Sequence, residues 1–305
     1  MKRSVIQIAE STQLISLPRA WCKQFDIKKG DELDVEPKGS TLEVTTTKGV
    51  DIERVSINLD KYNPLIPRVL HALYKKGYDE IEAQFSHPDQ LRKIQRLLQE
   101  DLVGYEIIKQ TKNSCTIKSI AGAYEEEFET MLRRTFLVFK SMAMGIYEAL
   151  KDGNTLNIQT LRYLETNNNR STGFCRRIIN KRGYKDHKNT TFMYSTLEEI
   201  EKMADEFKYL CDFLLQKEKN IQKIPEEILD CYKELVELVD MLYDVFYKFD
   251  EERLSHLFVK RSDLINKAYD LYSLKNERDL RLLHYIVTIT QQIANTGSFR
   301  LEMQL

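Results

Sequence analysis

Residues 11–44 read STQLISLPRAWCKQFDIKKGDELDVEPKGSTLEV, and the order of elements in this stretch decides the N-terminal fold. Leu14, Ser16 and Leu17-Pro18 finish an alternating strand. Proline has no amide to donate and its φ is fixed near helical values, so Pro18 suits the first turn of a helix. Trp21, Phe25 and Ile27 give that short helix an apolar side. Gly30-Asp31 turns the chain, Leu33 and Val35 start the next strand, and Pro37-Lys38-Gly39-Ser40 turns it into Leu42-Glu43-Val44. A unit of about fifty residues with so few bulky apolar groups buries too little surface to be secure alone, and usually needs a partner.

Downstream the character changes. Val55-Ser56-Ile57 reads as a short strand, and Pro64 to Lys76 as an amphipathic helix closed by Gly77. Tyr78 to Phe85 alternates as a strand, and Pro88 to Asp101 is a second helix. Tyr105 to Ile108 and Cys115 to Ile120 are strands joined through Lys112-Asn113. The order βαβαββ predicts a small two-layer α/β module over 51–121. It has no Gly-rich phosphate loop, and a spacer or dimer-supporting role is its plain reading.

From Tyr124 onward apolar residues recur in steps of four and three, as in Leu132, Phe136, Phe139, Ala143, Ile146 and Leu150. That spacing places side chains on one seam, where long helices pack nearly antiparallel. Breaks at Asp152-Gly153-Asn154, Gly183 to Asn189, Lys219 to Lys223, Phe249-Asp250 and Ser273 to Asn276 predict six helices. Shifting the chain by ninety lays Met203, Ala204 and Asp205 over Ile293, Ala294 and Asn295, so the six read as two sets of three. The expected fold class is therefore multidomain and mainly α. A β-rich domain (1–50), an α/β module (51–121) and a helical region (122–305) follow in order. The last holds two three-helix bundles at about 122–218 and 224–305.

Composition narrows the classes. The 305 residues carry 30% charged and 42% hydrophobic residues, with Lys+Arg 46 against Asp+Glu 47. There is no global basic field, so nucleic-acid binding would come from a local patch or from pairing of chains. Only 11 Gly and 6 Pro argue for long elements. No apolar run approaches the ~20 residues of a membrane span. MKRSVIQIAE lacks a signal-peptide core. Five cysteines far apart form neither a disulfide framework nor a zinc pattern, and the expected location is cytoplasmic.

The LPRAW and IKKGDELDV strings resemble the AbrB/SpoVT swapped-hairpin DNA-binding domain, which implies that two chains interleave into one barrel. Two tandem three-helix bundles, the first carrying Glu201-Lys-Met-Ala-Asp205 in its third helix, resemble the PhoU family. Together with the α/β module, the whole chain resembles the archaeal type of phosphate uptake regulator. The resemblance implies a DNA-binding transcriptional regulator of phosphate uptake, dimeric through its head, whose helical tail senses or relays phosphate status. The competing reading is an adaptor that binds a phosphate transporter or a signalling protein and uses the head only for pairing. No membrane insertion and no cofactor are expected.

In the AbrB-like family, basic side chains near the first strand and on the short helix contact DNA; the matching positions are Arg3, Arg19 and Lys23. Lys2, Lys28 and Lys29 are phosphate contacts by charge alone. Lys48 adds to the basic set, but acids such as Glu10, Asp26 and Asp31 are nearly as frequent, so affinity should be modest and salt-dependent. In PhoU proteins acid pairs four residues apart form a metal-holding cluster. Here the surviving acids are Glu165, Glu201 and Asp205, and Gln291 and Asn295 replace the pair in the second bundle. Amides are poorer ligands for a hard cation, and carboxylates at this spacing are commonly ion-paired, so no metal is expected. The run Arg170, Arg176, Arg177, Lys181, Arg182, Lys185, Lys188 either grips an acidic partner or pairs with acids on neighbouring helices. The five histidines sit apart and no catalytic constellation stands out, so no enzymatic activity is expected.

Overall fold

The register of one short ladder explains how the N-terminal stretch folds. In this computed structural model, which describes residues 2–8, 11–46, 52–120, 127–216, 221, 223–272 and 276–305, β1 (Ile6–Ile8) pairs antiparallel with β2 (Thr12–Leu14). Leu14 sits opposite Ile6, where the partner strand begins, so β2 stops there and does not run on to Leu17 as expected. Pro18 is extended (φ −63°, ψ 123°) and caps α1 (Arg19–Gln24). β3 (Asp34–Lys38) and β4 (Thr41–Thr45) form a second hairpin in which Val35 faces Val44 and Pro37 faces Leu42. The ladder thus takes in Pro37 and Lys38, which the Pro-Lys-Gly-Ser signal predicts in the turn. Gly39, at φ +64°, makes the reversal at low cost because it has no Cβ.

Two compact units make up the chain, Met1–Ile52 and Glu53–Leu305. The expected boundaries at 50/51 and 121/122, Lys48, Glu10 and the helical start at Tyr124 lie outside the described residues. So do parts of the breaks at Lys219–Lys223 and Ser273–Asn276.

The second unit opens with the βαβαββ order: β5 (Arg54–Asn58), α2 (Ile66–Lys76), β6 (Glu80–Gln84), α3 (Pro88–Glu100), β7 (Tyr105–Gln110) and β8 (Ser114–Ser119). The four strands lie in the order β5-β6-β8-β7, with β5 and β6 parallel and the other pairs antiparallel. α2 starts two residues later than expected, because a 3-10 turn at Leu59–Tyr62 precedes it and Pro67 occupies its first turn. Leu70, Tyr74, Ile81, Ile94, Leu97 and Ile117 build the core between helices and sheet.

Six long helices follow: α4 (Phe128–Asp152), α5 (Ile158–Arg182), α6 (Thr190–Gln216), α7 (Glu226–Tyr247), α8 (Glu251–Tyr272) and α9 (Glu277–Glu302). The chain is mainly helical, with a small N-terminal β region. α4, α5 and α6 pack on one another, as do α7, α8 and α9. The two triplets are joined, since α4 meets α7 and α6 meets α9. A single apolar core therefore runs from Phe136 and Phe207 through Leu235 to Ile286. The apolar positions aligned by the ninety-residue shift are all interior: Met203, Ala204, Ile293 and Ala294 are buried. No helix among the described residues is long and apolar enough to cross a membrane.

Candidate nucleic-acid interface and charged helix seams

The six basic residues singled out at the N-terminus are all exposed. Lys2 and Arg3 precede β1. Arg19 opens α1 and Lys23 lies one turn on, so both project from one face of the helix. The opposite face is anchored: Trp21, Cys22 and Phe25 are half-buried, and the Trp21 and Phe25 rings lie 5.6 Å apart. Lys28 and Lys29 share the following turn with Asp26 and Asp31. Lys28 Nζ lies 2.7 Å from Asp26 Oδ2, and its backbone N–H donates to Asp31 Oδ2 at 2.5 Å. The hydrogen bond to Asp26 holds the Lys28 ammonium above its ordinary pKa. A phosphate approaching Lys28 thus competes with a carboxylate already in place. Arg19 and Lys23 are brought together by the helix; Lys28 is drawn into a local turn.

The carboxylates singled out in the tail lie along α5 and α6, but they divide between different cations. Lys208 Nζ sits between Glu165 Oε1 (2.7 Å) and Asp205 Oδ1 (2.5 Å). Burial raises the pKa of Glu165, against the pull of Lys208; burial also works to lower that of Lys208, but the bonds to Asp205 and Glu165 outweigh it and hold it raised. Asn169 Nδ2 donates to the same Glu165 oxygen at 2.7 Å. Glu201 goes elsewhere: it contacts the guanidinium of Arg176 and accepts from Thr172 Oγ1 at 3.1 Å. Arg176, 1% exposed, also pairs with Glu198. An ammonium and a guanidinium therefore stand among these three acids, and among the described residues no three His, Cys, Asp or Glu side chains converge as a ligand set. On α9, Asn295 Nδ2 donates to Glu199 Oε2 at 3.2 Å, so the amide that stands in the second acid pair joins α9 to α6.

The basic run on α5 divides too. Among the described residues, Arg177 and Lys181 pair not with an acid on a neighbouring helix but with Asp79, just ahead of β6 in the α/β module. Arg177 Nη2 donates to Asp79 Oδ1 at 2.7 Å, and Lys181 Nζ reaches the two Asp79 oxygens at 2.7 and 2.9 Å. Arg177 Nη1 also donates to the backbone oxygens of Tyr74 (3.1 Å) and Tyr78 (2.7 Å) and to the Tyr105 hydroxyl (3.0 Å). The first two lie at the C-terminal end of α2, where a cation is favoured by the helix dipole. Asp79 Oδ2 accepts from the backbone N–H of Glu53 at 3.1 Å, so one carboxylate ties α5 to the point where the second unit begins. Lys185 reaches Glu129 at 3.2 Å.

Three charged residues that no sequence motif marks, Asp79, Lys208 and Lys75, take part in these seams. Lys75 Nζ approaches Glu201 at 3.8 Å, too long for a hydrogen bond. Burial, and next the charge of Arg176, push its pKa down to about 8. In the sequence it is only a lysine on the third turn of an amphipathic helix. No family model, curated protein or solved structure matches the chain.

Proposed function

We propose that the chain is a DNA-binding transcriptional regulator of phosphate uptake that works as a homodimer, its helical tail relaying phosphate status. One observation carries the dimeric part: of the side chains described within Met1–Ile52, those of Gln24 and Lys38 set aside, none is buried. Ile6, Ile8 and Leu14 share a face of the first hairpin, and Val35, Pro37, Leu42 and Val44 share a face of the second. Ile6 is 55% exposed, Val35 56% and Leu42 64%. Folding that leaves such apolar groups in water lacks its main driving force, and a second copy offering the same two faces supplies it. The exposed pair Arg19 and Lys23 supports the DNA-binding part, and doubling it in a dimer adds charge density where a duplex would lie. The phosphate part rests on the resemblance of the sequence motifs to the archaeal phosphate uptake regulators.

Light scattering and anisotropy titration on the full chain test the proposal together. We expect a dimer at micromolar concentration, and binding of a promoter fragment from a phosphate-transport operon that weakens steeply with salt. A stable monomer at that concentration would refute the pairing. A dimer with no salt-sensitive DNA binding would turn the reading to the adaptor.

A further inference from the structure

β7 closes one side of the sheet, with β8 as its only strand neighbour among the described residues. Half of the backbone donors and acceptors of such an edge strand point away from the sheet and are a template for another strand. α3 lies alongside, and between them opens a groove of about 720 Å³. Arg92, Gln95, Arg96 and Gln99 line its helical wall, at the spacing of one helix face. Ile108 and Lys109 line its strand wall, and Ile108 is 52% exposed. Among the described residues lining the groove, three are cationic and one, Glu106, is acidic.

The two arginines are available. Arg92 contacts Asp89, and Arg96 lies 2.9 Å from Glu100, but their side chains are 76% and 77% exposed. Ion pairs so exposed are weak, so an incoming carboxylate displaces them at little cost. The register shift between Ile107 and Lys109 limits the occupant. A bulge bends and twists the edge, which disfavours a long flat strand such as a second β7, and leaves room for a short segment.

We propose that this groove binds a short, extended, acidic segment of a partner protein as a fifth strand beside β7. The backbone ladder would supply affinity. Arg92, Arg96 and Lys109 would select carboxylates, and Ile108 would meet an apolar side chain of the peptide. The surface lies within Glu53–Leu305 and does not depend on the reading of the N-terminal unit.

The test is an anisotropy titration of the full chain with a fluorescein-labelled octapeptide alternating Glu and Val. Saturable binding within about 1 mM is expected. A Lys/Val octapeptide should bind at least about tenfold more weakly, for want of charge complementarity. The fully N-methylated Glu/Val peptide, which keeps its charges but can donate no ladder bond, should also bind about tenfold or more weakly. The double variant Arg92→Glu, Arg96→Glu changes only exposed side chains, so it should fold normally and weaken binding to a similar degree. Absence of binding up to the limit, or binding unchanged by N-methylation or by charge reversal, would overturn the proposal. So would a single-stranded oligonucleotide that competes as well as the peptide does, since that would make the groove a general polyanion surface.

Discussion

Among single residues, Arg177 does the most. The residue is 5% exposed; its guanidinium joins Asp79, the Tyr105 hydroxyl and two backbone oxygens at the end of α2, and lies about 5 Å from the rings of Tyr74 and Tyr105. Removing one member of a buried, hydrogen-bonded ion pair strands the rest. We expect Arg177→Ala to lower stability by about 3 kcal/mol in chemical denaturation of the full chain, with Arg177→Lys recovering only part, because an ammonium cannot spread over the same planar fork of acceptors. A change under about 1 kcal/mol would mean that Lys181 alone satisfies Asp79. Lys75 makes the opposite case. Its folded pKa of about 8 lies below the ordinary 10.5, so the unfolded chain holds more protons between those values. Stability therefore rises with pH across that window, and the charged form is a cost below it. Lys75→Met should stabilise the protein by about 2 kcal/mol at pH 7, and the gain should shrink to nothing as pH passes 10.5. Denaturation midpoints of both proteins at neutral pH and above the ordinary lysine pKa decide it; a gain that does not change with pH would point to packing alone.

Elements act through how they end and what they meet. α2 ends at Gly77, which takes φ +101°, and a Cβ there would come within 2.5 Å of Lys181 Cγ. The stem of Lys181 thus lies over the helix end while its ammonium reaches Asp79, so one glycine permits both the cap and the docking of α5. α1 presents its two cations outward because Trp21 and Phe25 hold its other face. Replacing Arg19 and Lys23 by Ala should leave the dimer intact and weaken promoter binding. The slope of log affinity against log salt should flatten by about 0.9 for each phosphate that is no longer neutralised. Titrations at several salt concentrations measure this directly. A double variant that binds like the parent would move the reading surface to Lys2, Arg3 or Lys29.

For the molecule as a whole, the shared core matters more than the division of the tail into triplets. α4 packs on α7 and α6 on α9, and buried side chains run without a break between the triplets. Neither triplet can open without exposing the apolar seam of the other. We expect all six helices to unfold together: hydrogen-exchange protection in α5 and in α8 should collapse at one denaturant midpoint. Two separated midpoints would show that the triplets are independent bundles. The N-terminal unit, whose apolar residues Ile6, Ile8, Val35 and Leu42 are exposed, should instead have a stability that depends on protein concentration, as expected where folding and pairing are linked.

The elements and their order follow from local sequence. The βαβαββ run and the six long helices rest on periodicity, on glycine at helix ends and on proline at helix starts, and these act over a few residues. The exposed cations of α1 were legible for the same reason, since a helix of fixed pitch places Arg19 and Lys23 on one side. Which charges meet is settled by packing across the chain. Asp79 lies 98 residues from Arg177, and Lys208 lies 43 from Glu165. Nothing in a lone acid before a strand, or a lysine on a helix, says which partner the fold will bring. The same holds for the groove, because an edge strand and its distance from a helix are properties of sheet order. Desolvation then fixes the outcome: once packing excludes water, a charge must find its opposite, so the carboxylate face, expected to be solvated or ion-paired, is divided between two separate cation clamps.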